Sequence, residues 1–356
     1  MKKLFIIAIA LCGFSSVQAQ YFEHLYGRQF DDALSDGKNT VNTPGFVIAG
    51  EGGAVAMPLS IITLTHTDIT GVPYFNHEYE LYSSTGVTVS PGGTKVFEYP
   101  NSSAAFGVVG RFYDPSMGAP YSGIYYFTVD AAGNPINAYE YRIQPIGGMT
   151  WEVYTVTSVA LSASGNEAYI TGSAQNAWTD AYVFVLKIDI ASGGIIWGNL
   201  YDFVTPSAPA FALAEDIIES PFSPEVMVVG TVYSPGLTQD AFFLPVDANS
   251  GAAGTAVTYG TSSTWDYFSS ISVANQVGGF VIGGYISSSV SPPFDFWLNL
   301  VDAAGNSIWA NQYDYSFNPG GDERCYDVIE RFNTSGKYEY YMGALPITGL
   351  WVHQMH

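Results

Sequence analysis

The sequence predicts an all-β fold built from one repeated four-stranded antiparallel unit, and three observations predict it. A short apolar run ending on glycine recurs at nearly constant spacing. Each copy is followed by another apolar run and all but the last by a third run carrying aromatics, in most copies after an Asp-to-Gly turn. After the first twenty residues no stretch has helical periodicity, while runs rich in β-branched and aromatic residues are bounded by turn signals throughout.

The glycine-terminated run is the clearest element. It reads "FVIAG" at 46–50, "GVVG" at 107–110, "YITG" at 169–172, "MVVG" at 227–230, "FVIGG" at 280–284 and "YYMG" at 340–343. The closing glycines are Gly50, Gly110, Gly172, Gly230, Gly284 and Gly343, at intervals of 60, 62, 58, 54 and 59 residues. So narrow a spacing over six copies marks a structural repeat.

A loop and a second apolar run follow each copy: "SIITLTH" (60–66), "GIYYFTV" (123–129), "YVFVLKI" (182–188), "AFFLPVD" (241–247), "DFWLNLV" (295–301) and "LWVHQMH" (350–356). Four of these reach a Gly-bearing turn, "DAAGN" at 130 and 302, "DIASGG" at 189 and "DANSG" at 247. Asp before Gly is hairpin chemistry, because Gly accepts the positive φ such turns need. The third runs carry aromatics: "YFNHEYE" (74–80), "INAYEYR" (136–142), "IIWGNLY" (195–201), "TAVTYG" (255–260) and "SIWANQY" (307–313). A weaker strand precedes the glycine run, as in "KVFEYP" (95–100), "VTSVALS" (156–162), "SSISVAN" (269–275) and "YDVIERF" (326–332).

A four-stranded antiparallel unit of this length, repeated four to eight times, is a β-propeller blade. The spacing therefore predicts a single six-bladed β-propeller over 20–356. Its last copy lacks a fourth strand, and "YFEHLYG" at 21–27 supplies a spare one. The N-terminal strand is thus expected to close the last blade by pairing with 349–355, removing two sheet edges.

Residues 1–19 read as a signal peptide: Lys2 and Lys3, an apolar run Leu4 to Leu11, and a small-x-small end at Val17-Gln18-Ala19. The run is too short to span a bilayer, and no later stretch is apolar for long enough to be a transmembrane helix. The expectation is an exported protein, periplasmic or extracellular, without membrane insertion. Loss of Lys2 and Lys3 leaves 9 basic residues against 32 acidic ones and takes the formal charge from −21 to −23. Such a field repels nucleic acid and anionic lipid. Cys12 follows Leu11, where a lipidation signal wants a small residue. Cys325 is then the one cysteine of the mature chain, so no internal disulfide forms and stability must come from the core. With 47% hydrophobic residues the chain can build one.

The pattern "FVIGGY…FDFWLNLVDAAGNSIW" resembles kelch-type blades, in which paired glycines end a strand and a Trp follows a turn. It is more similar to the longer propeller repeats of secreted proteins from Bacteroidota. Only Gly283-Gly284 is a full pair; the other copies carry one glycine at that place. The resemblance covers 21–356 and implies a propeller fold; its motifs are structural and imply no activity.

No catalytic motif stands out. There is no nucleophile elbow, no HExxH and no CxxC. Arg28, Arg111, Arg142, Arg324 and Arg331 are scattered over different strands, unlike a sialidase cluster. The histidines His24 and His353 would approach if the ring closes as expected, which is no zinc set by itself. No metal or cofactor is expected. The loops entering each first strand converge near a propeller's channel mouth. They hold Asp31 and Asp32 (28–32), Trp151 and Glu152 (149–153), Trp265 and Asp266 (263–267), and Asp322 and Glu323 (320–324). Aromatics beside carboxylates suit sugar stacking or a protein partner anchored by Trp. The competing reading is that the aspartates cap turns and the tryptophans wedge between blades. The expected function is a non-enzymatic protein- or glycan-binding or scaffold module at the cell envelope. The alternative is a hydrolase or lyase with its site at the channel mouth.

Overall fold

The structure is a computed structural model. It describes residues 31–355 apart from 54–59, 83–87, 101–104, 115, 117–120, 145–148, 177–179, 203–210, 234–238, 261–263, 289–293, 315–322, 334 and 347–350, and for 31–34, 53, 60 and 344–355 the backbone alone. Among the described residues every regular element is a strand. Strands β1 (Asp31–Thr40), β2 (Gly45–Gly53), β3 (Ser60–Asp68) and β4 (Pro73–Tyr79) form one antiparallel sheet in chain order. Strands β5 (Ser90–Glu98), β6 (Phe106–Tyr113), β7 (Ser122–Val129) and β8 (Pro135–Tyr141) form a second. Three further units follow: β9 (Glu152–Leu161) to β12 (Ile195–Tyr201), β13 (Phe211–Glu219) to β16 (Val257–Tyr259), and β17 (Trp265–Ala274) to β20 (Ser307–Tyr313). These three share a twelve-stranded sheet because single parallel bridges, Ala181 to Phe211 and Gln239 to Trp265, link each unit to the next. Last come β21 (Glu323–Phe332), β22 (Tyr338–Pro346) and β23 (Trp351–Met355). The expected strand at 21–27 lies outside the described residues.

The first strands of successive units pack side by side, β1 on β5, β5 on β9, and so on to β17 on β21. They begin earlier than the sequence pattern suggests, at Ser90 rather than Lys95 and at Glu152 rather than Val156. Each carries a bulge against its partner that breaks the alternation of apolar and polar residues, so the segment before the bulge reads as loop. The residue after each bulge occupies an equivalent place: Asp36, Lys95, Ser158, Asp216, Ser270 and Asp327.

These residues tie the units together. Asp36 Oδ2 accepts the Val96 N–H (3.0 Å), and Asp216 Oδ2 accepts the Ile271 N–H (2.9 Å). Ser158 Oγ donates to Asp216 Oδ1 (2.6 Å) and Ser270 Oγ to Asp327 Oδ1 (3.0 Å). Burial works against the charge on Lys38, but Asp36, Asp216 and Asp327 together hold its pKa above the ordinary value. These carboxylates come from the first, fourth and sixth units, so their first strands face a shared axis.

The repeat glycines have a steric cause. The bulge lays a carbonyl of the first strand over the glycine of the second. A Cβ on Gly172, Gly230 or Gly284 would lie 2.0, 2.0 or 1.8 Å from the Thr155, Leu213 or Tyr267 oxygen. In the last unit the register differs from the sequence alignment. Gly343 pairs with Asp327, as Gly283 pairs with Ser270, and Ala344 stands where the other units have the crowded glycine.

Five apolar clusters fill the gaps between consecutive units rather than the interior of any one. The first joins Val47 and Leu64 to Phe106 and Phe127; another joins Phe97 and Tyr126 to Trp151 and Ile170. A tyrosine at the end of the fourth strand in each of the first four units reinforces them. Tyr79 Oη donates to the Gly133 carbonyl (2.7 Å), Tyr141 to Gly193 (2.9 Å) and Tyr201 to Gly251 (2.8 Å), and Tyr259 donates to Gly305. Every acceptor is the positive-φ glycine of the next unit's Asp turn. The turn at Asp68–Val72, not recognised from the sequence, has the same chemistry: Asp68 Oδ1 accepts the Thr70 (2.7 Å) and Val72 (3.0 Å) N–H groups.

Candidate functional site

The starts of the first strands and the ends of the second lie at one end of the assembly of units, where the sequence expectation places a binding face. The predicted residues are distributed over it unevenly. Asp31 and Asp32 are in β1, opposite Gly53 and Gly52, with only their backbone described. Asp322 lies outside the described residues. Trp151 is 2% exposed and packs on Tyr182 at 4.4 Å between ring centroids, inside the cluster between the second and third units. It is a wedge, and it offers no face to a ligand. Asp266 is fully buried as the second residue of β17, with Thr264 Oγ1 donating to its Oδ2 (2.6 Å), so it does not line a funnel. Trp265 is half-buried at the start of β17, in register with Ser287 and bridged to Gln239.

Glu323 is buried, and its N–H donates to the Phe294 carbonyl (2.9 Å). Its carboxylate, with those of Asp295 and Asp314, forms a group whose oxygens lie within 4.8 Å of one another. Three carboxylates fall short of the six to eight oxygens a Ca²⁺ takes, and Gln312 Nε2 already donates to Asp295 Oδ2 (2.5 Å). Beside it Arg324 lies over the rings of Tyr285 (5.2 Å) and Phe294 (4.9 Å), and Tyr285 stacks on Tyr267 at 4.4 Å.

Glu152 leads to the feature the sequence reading missed. It is half-buried at the start of β9, and its charge acts on Arg111. Arg111 lines a cavity of about 290 Å³ to which the second, third and fourth units contribute, together with Gly92, Gly93, Lys95, Tyr154 and Glu215 and with residues 155–157 of β9. The cavity stays open at Gly92, which brings no side chain to the start of β5, whereas a Cβ on Gly93 would lie 2.6 Å from the Val156 carbonyl oxygen. A Cβ on Gly92 would meet nothing within 4 Å. Tyr154 is 40% exposed at the rim.

Burial pushes the Glu215 carboxyl up to about 7; Lys95 opposes the shift and Asp216 adds to it. Burial also lowers the pKa of Arg111, with Glu152 acting in the opposite sense. The Arg111 Nε is buried and makes no hydrogen bond among the described residues. A desolvated donor without a partner is costly and uncommon. The sequence did carry a signal. "SPGGTK" at 90–95 has paired glycines where the other units have side chains, but in the absence of a structure such a pair reads as a turn.

No family model matches the chain, and no curated protein matches it. Among solved structures it is similar to the Dos1 propeller, at 13% identity over 90% of this chain and 66% of that one, with a TM-score of 0.48. It is also similar to an α-L-arabinanase of Penicillium chrysogenum complexed with arabinobiose (11% identity, 90% and 92% covered, TM-score 0.49). A europium-containing methanol dehydrogenase is a third (11%, 84% and 63%, TM-score 0.46). The chain thus spans just under two thirds of the first and third of these proteins. At these similarities the likeness brings neither a ligand nor an activity to this chain.

Proposed function

We propose that this protein is an exported six-bladed β-propeller that binds a glycan, without turning it over, in the cavity beside Gly92 and Tyr154. The blade count rests on six copies of the glycine repeat and on the first strands that share an axis through Lys38, Asp216 and Asp327. Residues 21–27 end in Tyr26-Gly27, as the fourth strands end in Tyr79, Tyr141, Tyr201, Tyr259 and Tyr313, which supports their use as the last blade's fourth strand. Export, to the periplasm or beyond, rests on residues 1–19.

The observation that carries the binding role is the cavity itself. Its volume of about 290 Å³ is at the small end of ligand sites. An exposed tyrosine at its rim suits the face of a sugar ring, and the charged and polar residues of the lining suit its polar substituents. The test is equilibrium binding of a panel of neutral and acidic sugars to the mature chain, with products analysed after long incubation. Binding with unchanged sugar, lost in Gly92→Val, is the expected result; no binding to any member overturns the role.

A hydrolase or lyase is the second reading, and one observation favours it: Glu215, with its carboxyl near neutral, has the character of a general acid. A glycosidase of the usual kind needs a second carboxylate across the scissile bond, and Glu215 is the one carboxylate on the cavity lining among the described residues. Release of a shorter or unsaturated sugar in the same incubation would establish this reading instead.

A further inference from the structure

We infer that the ligand of this cavity is a singly charged acidic sugar, a carboxylate on a hydroxylated ring, held by Arg111 and Lys95. The inference rests on the binding role just proposed and adds the charge of the ligand to it.

The chain carries 11 basic and 32 acidic residues, yet two of the cations line one small cavity. Among the described residues the side chains of Lys95 and Arg111 have no ion-pair partner within 4 Å, whereas Arg142 pairs with Glu140 and Lys187 with Glu167. Glu152 acts on Arg111 from beyond that distance. The Arg111 Nε is buried without a hydrogen bond among the described residues, so the donor capacity of the guanidinium is not used up there. A guanidinium presents its donors as a planar fork, which a carboxylate matches in a bidentate pair.

Charge sets the valence of the ligand. With Glu215 ionised, the lining has one net positive charge, which a monoanion neutralises. A phosphate dianion would leave an excess negative charge against Glu215 in a poorly solvated place. The field of a chain of formal charge −21 also opposes the approach of a polyanion. The volume fits a ligand of one or two rings, with Tyr154 at the rim.

The same arrangement makes binding depend on pH. Lys95 faces Glu215 from β5, Asp216 adjoins it on β13, and Arg111 with Glu152 lies across the cavity. Tyr233 and Tyr285 feel its charge from the far side. Protonation of Glu215 as pH falls through neutrality removes the one negative charge on the lining and strengthens the hold on an anion.

The experiment is titration calorimetry of the full mature chain with glucuronate, glucose and inorganic phosphate, each to about 10 mM, at pH 6 and pH 8. The expected result is glucuronate at least tenfold tighter than glucose at both pH values and at least tenfold tighter than phosphate at pH 8, where phosphate is a dianion and Glu215 is ionised, with glucuronate tighter at pH 6 than at pH 8. Arg111→Gln should lose at least tenfold for glucuronate while glucose is unchanged. Glu215→Gln should hold the pH 6 affinity at pH 8. Gly92→Val, which extends into open space, should lose all three while its thermal midpoint stays that of the wild type. Glucose binding as tightly as glucuronate, with Gly92→Val still inactive, would overturn the acidic-sugar assignment and leave the binding role standing. Phosphate binding tightest would overturn the carboxylate. No binding of any of the three would overturn both.

Discussion

The tyrosine that ends each fourth strand is predicted to hold neighbouring units together with a strength that its acceptor decides. Tyr141 and Tyr201 are equivalent and both buried, and each donates to the buried carbonyl of a turn glycine. The Gly193 carbonyl accepts only from Tyr141 among the described residues, at 2.9 Å. The Gly251 carbonyl accepts from Tyr201 and also from Asn199 Nδ2, both at 2.8 Å. Replacing Tyr by Phe keeps the ring and removes one donor. Where another donor remains, the loss is the net value of a hydrogen bond, at the low end near 0.5 kcal/mol. Where none remains, the stranded acceptor adds its desolvation, for a total of about 1–2 kcal/mol. Tyr141→Phe should therefore cost about 1 kcal/mol more than Tyr201→Phe. Urea unfolding followed by tryptophan fluorescence reads this as a larger fall in midpoint at unchanged slope. Equal costs for the two variants, or a larger cost for Tyr201→Phe, would refute the idea that these bonds join the units.

Three other outcomes follow from the same structure. Lys38→Met should destabilise the fold by about 0.5 kcal/mol, a modest figure because the side chain is half exposed. Because the folded pKa of Lys38 lies above its unfolded value, its contribution is full below the ordinary lysine range and is lost as pH rises through the folded value; stability of wild type and variant should converge there. Asp68, Asp130, Asp189 and Asp247 are held below the ordinary carboxylate range by the hydroxyl, amide and backbone donors of their own turns, so their contribution is present above that range and lost as pH falls through the folded values. Acid unfolding should steepen below about pH 4, and Asp130→Ala should flatten it; an unchanged profile would remove the turns from the account. Burial pushes the Cys325 thiol up to about 12, so a thiol reagent at pH 8 should label it only as the protein unfolds; rapid labelling of the native state would contradict its packing against Gly283.

Much of the fold was legible in the sequence because its signals are local and repeated. A glycine under a carbonyl, an Asp whose side chain caps its own turn, and an aromatic at the end of a strand each leave the same residue at the same interval. The starts of the first strands were not legible, since the bulge at Thr157, Glu215 or Ser269 shifts the side chains by one and ends the alternation that marks a strand. The candidate site suffered from the same cause. Trp151 and Asp266 were placed in loops, where an aromatic and a carboxylate suggest a ligand, but they sit in or beside strands that the neighbouring unit covers. Asp130 and Asp302 were read correctly as turn geometry, because the bonds that fix them span only four residues.

The cavity was hidden for a further reason: it consists of side chains that are absent. At the two places before the bulge the units carry Thr155 and Val156, Leu213 and Ala214, Tyr267 and Phe268, or Arg324 and Cys325. The second unit alone carries Gly92 and Gly93 there. Where similar units repeat, every side chain has near copies in the other units, and an asymmetric ligand gains nothing from a feature that they all share. It can be recognised only where one unit departs from the rest. Here the departure removes volume, and the groups it uncovers, Arg111 from its own unit, Tyr154 from the third and Glu215 from the fourth, come from three consecutive units whose geometry the hydrogen bond from Ser158 to Asp216 helps to fix. The shared packing of the repeat makes the frame rigid, and the pair of glycines in which the repeat fails makes one place in it specific.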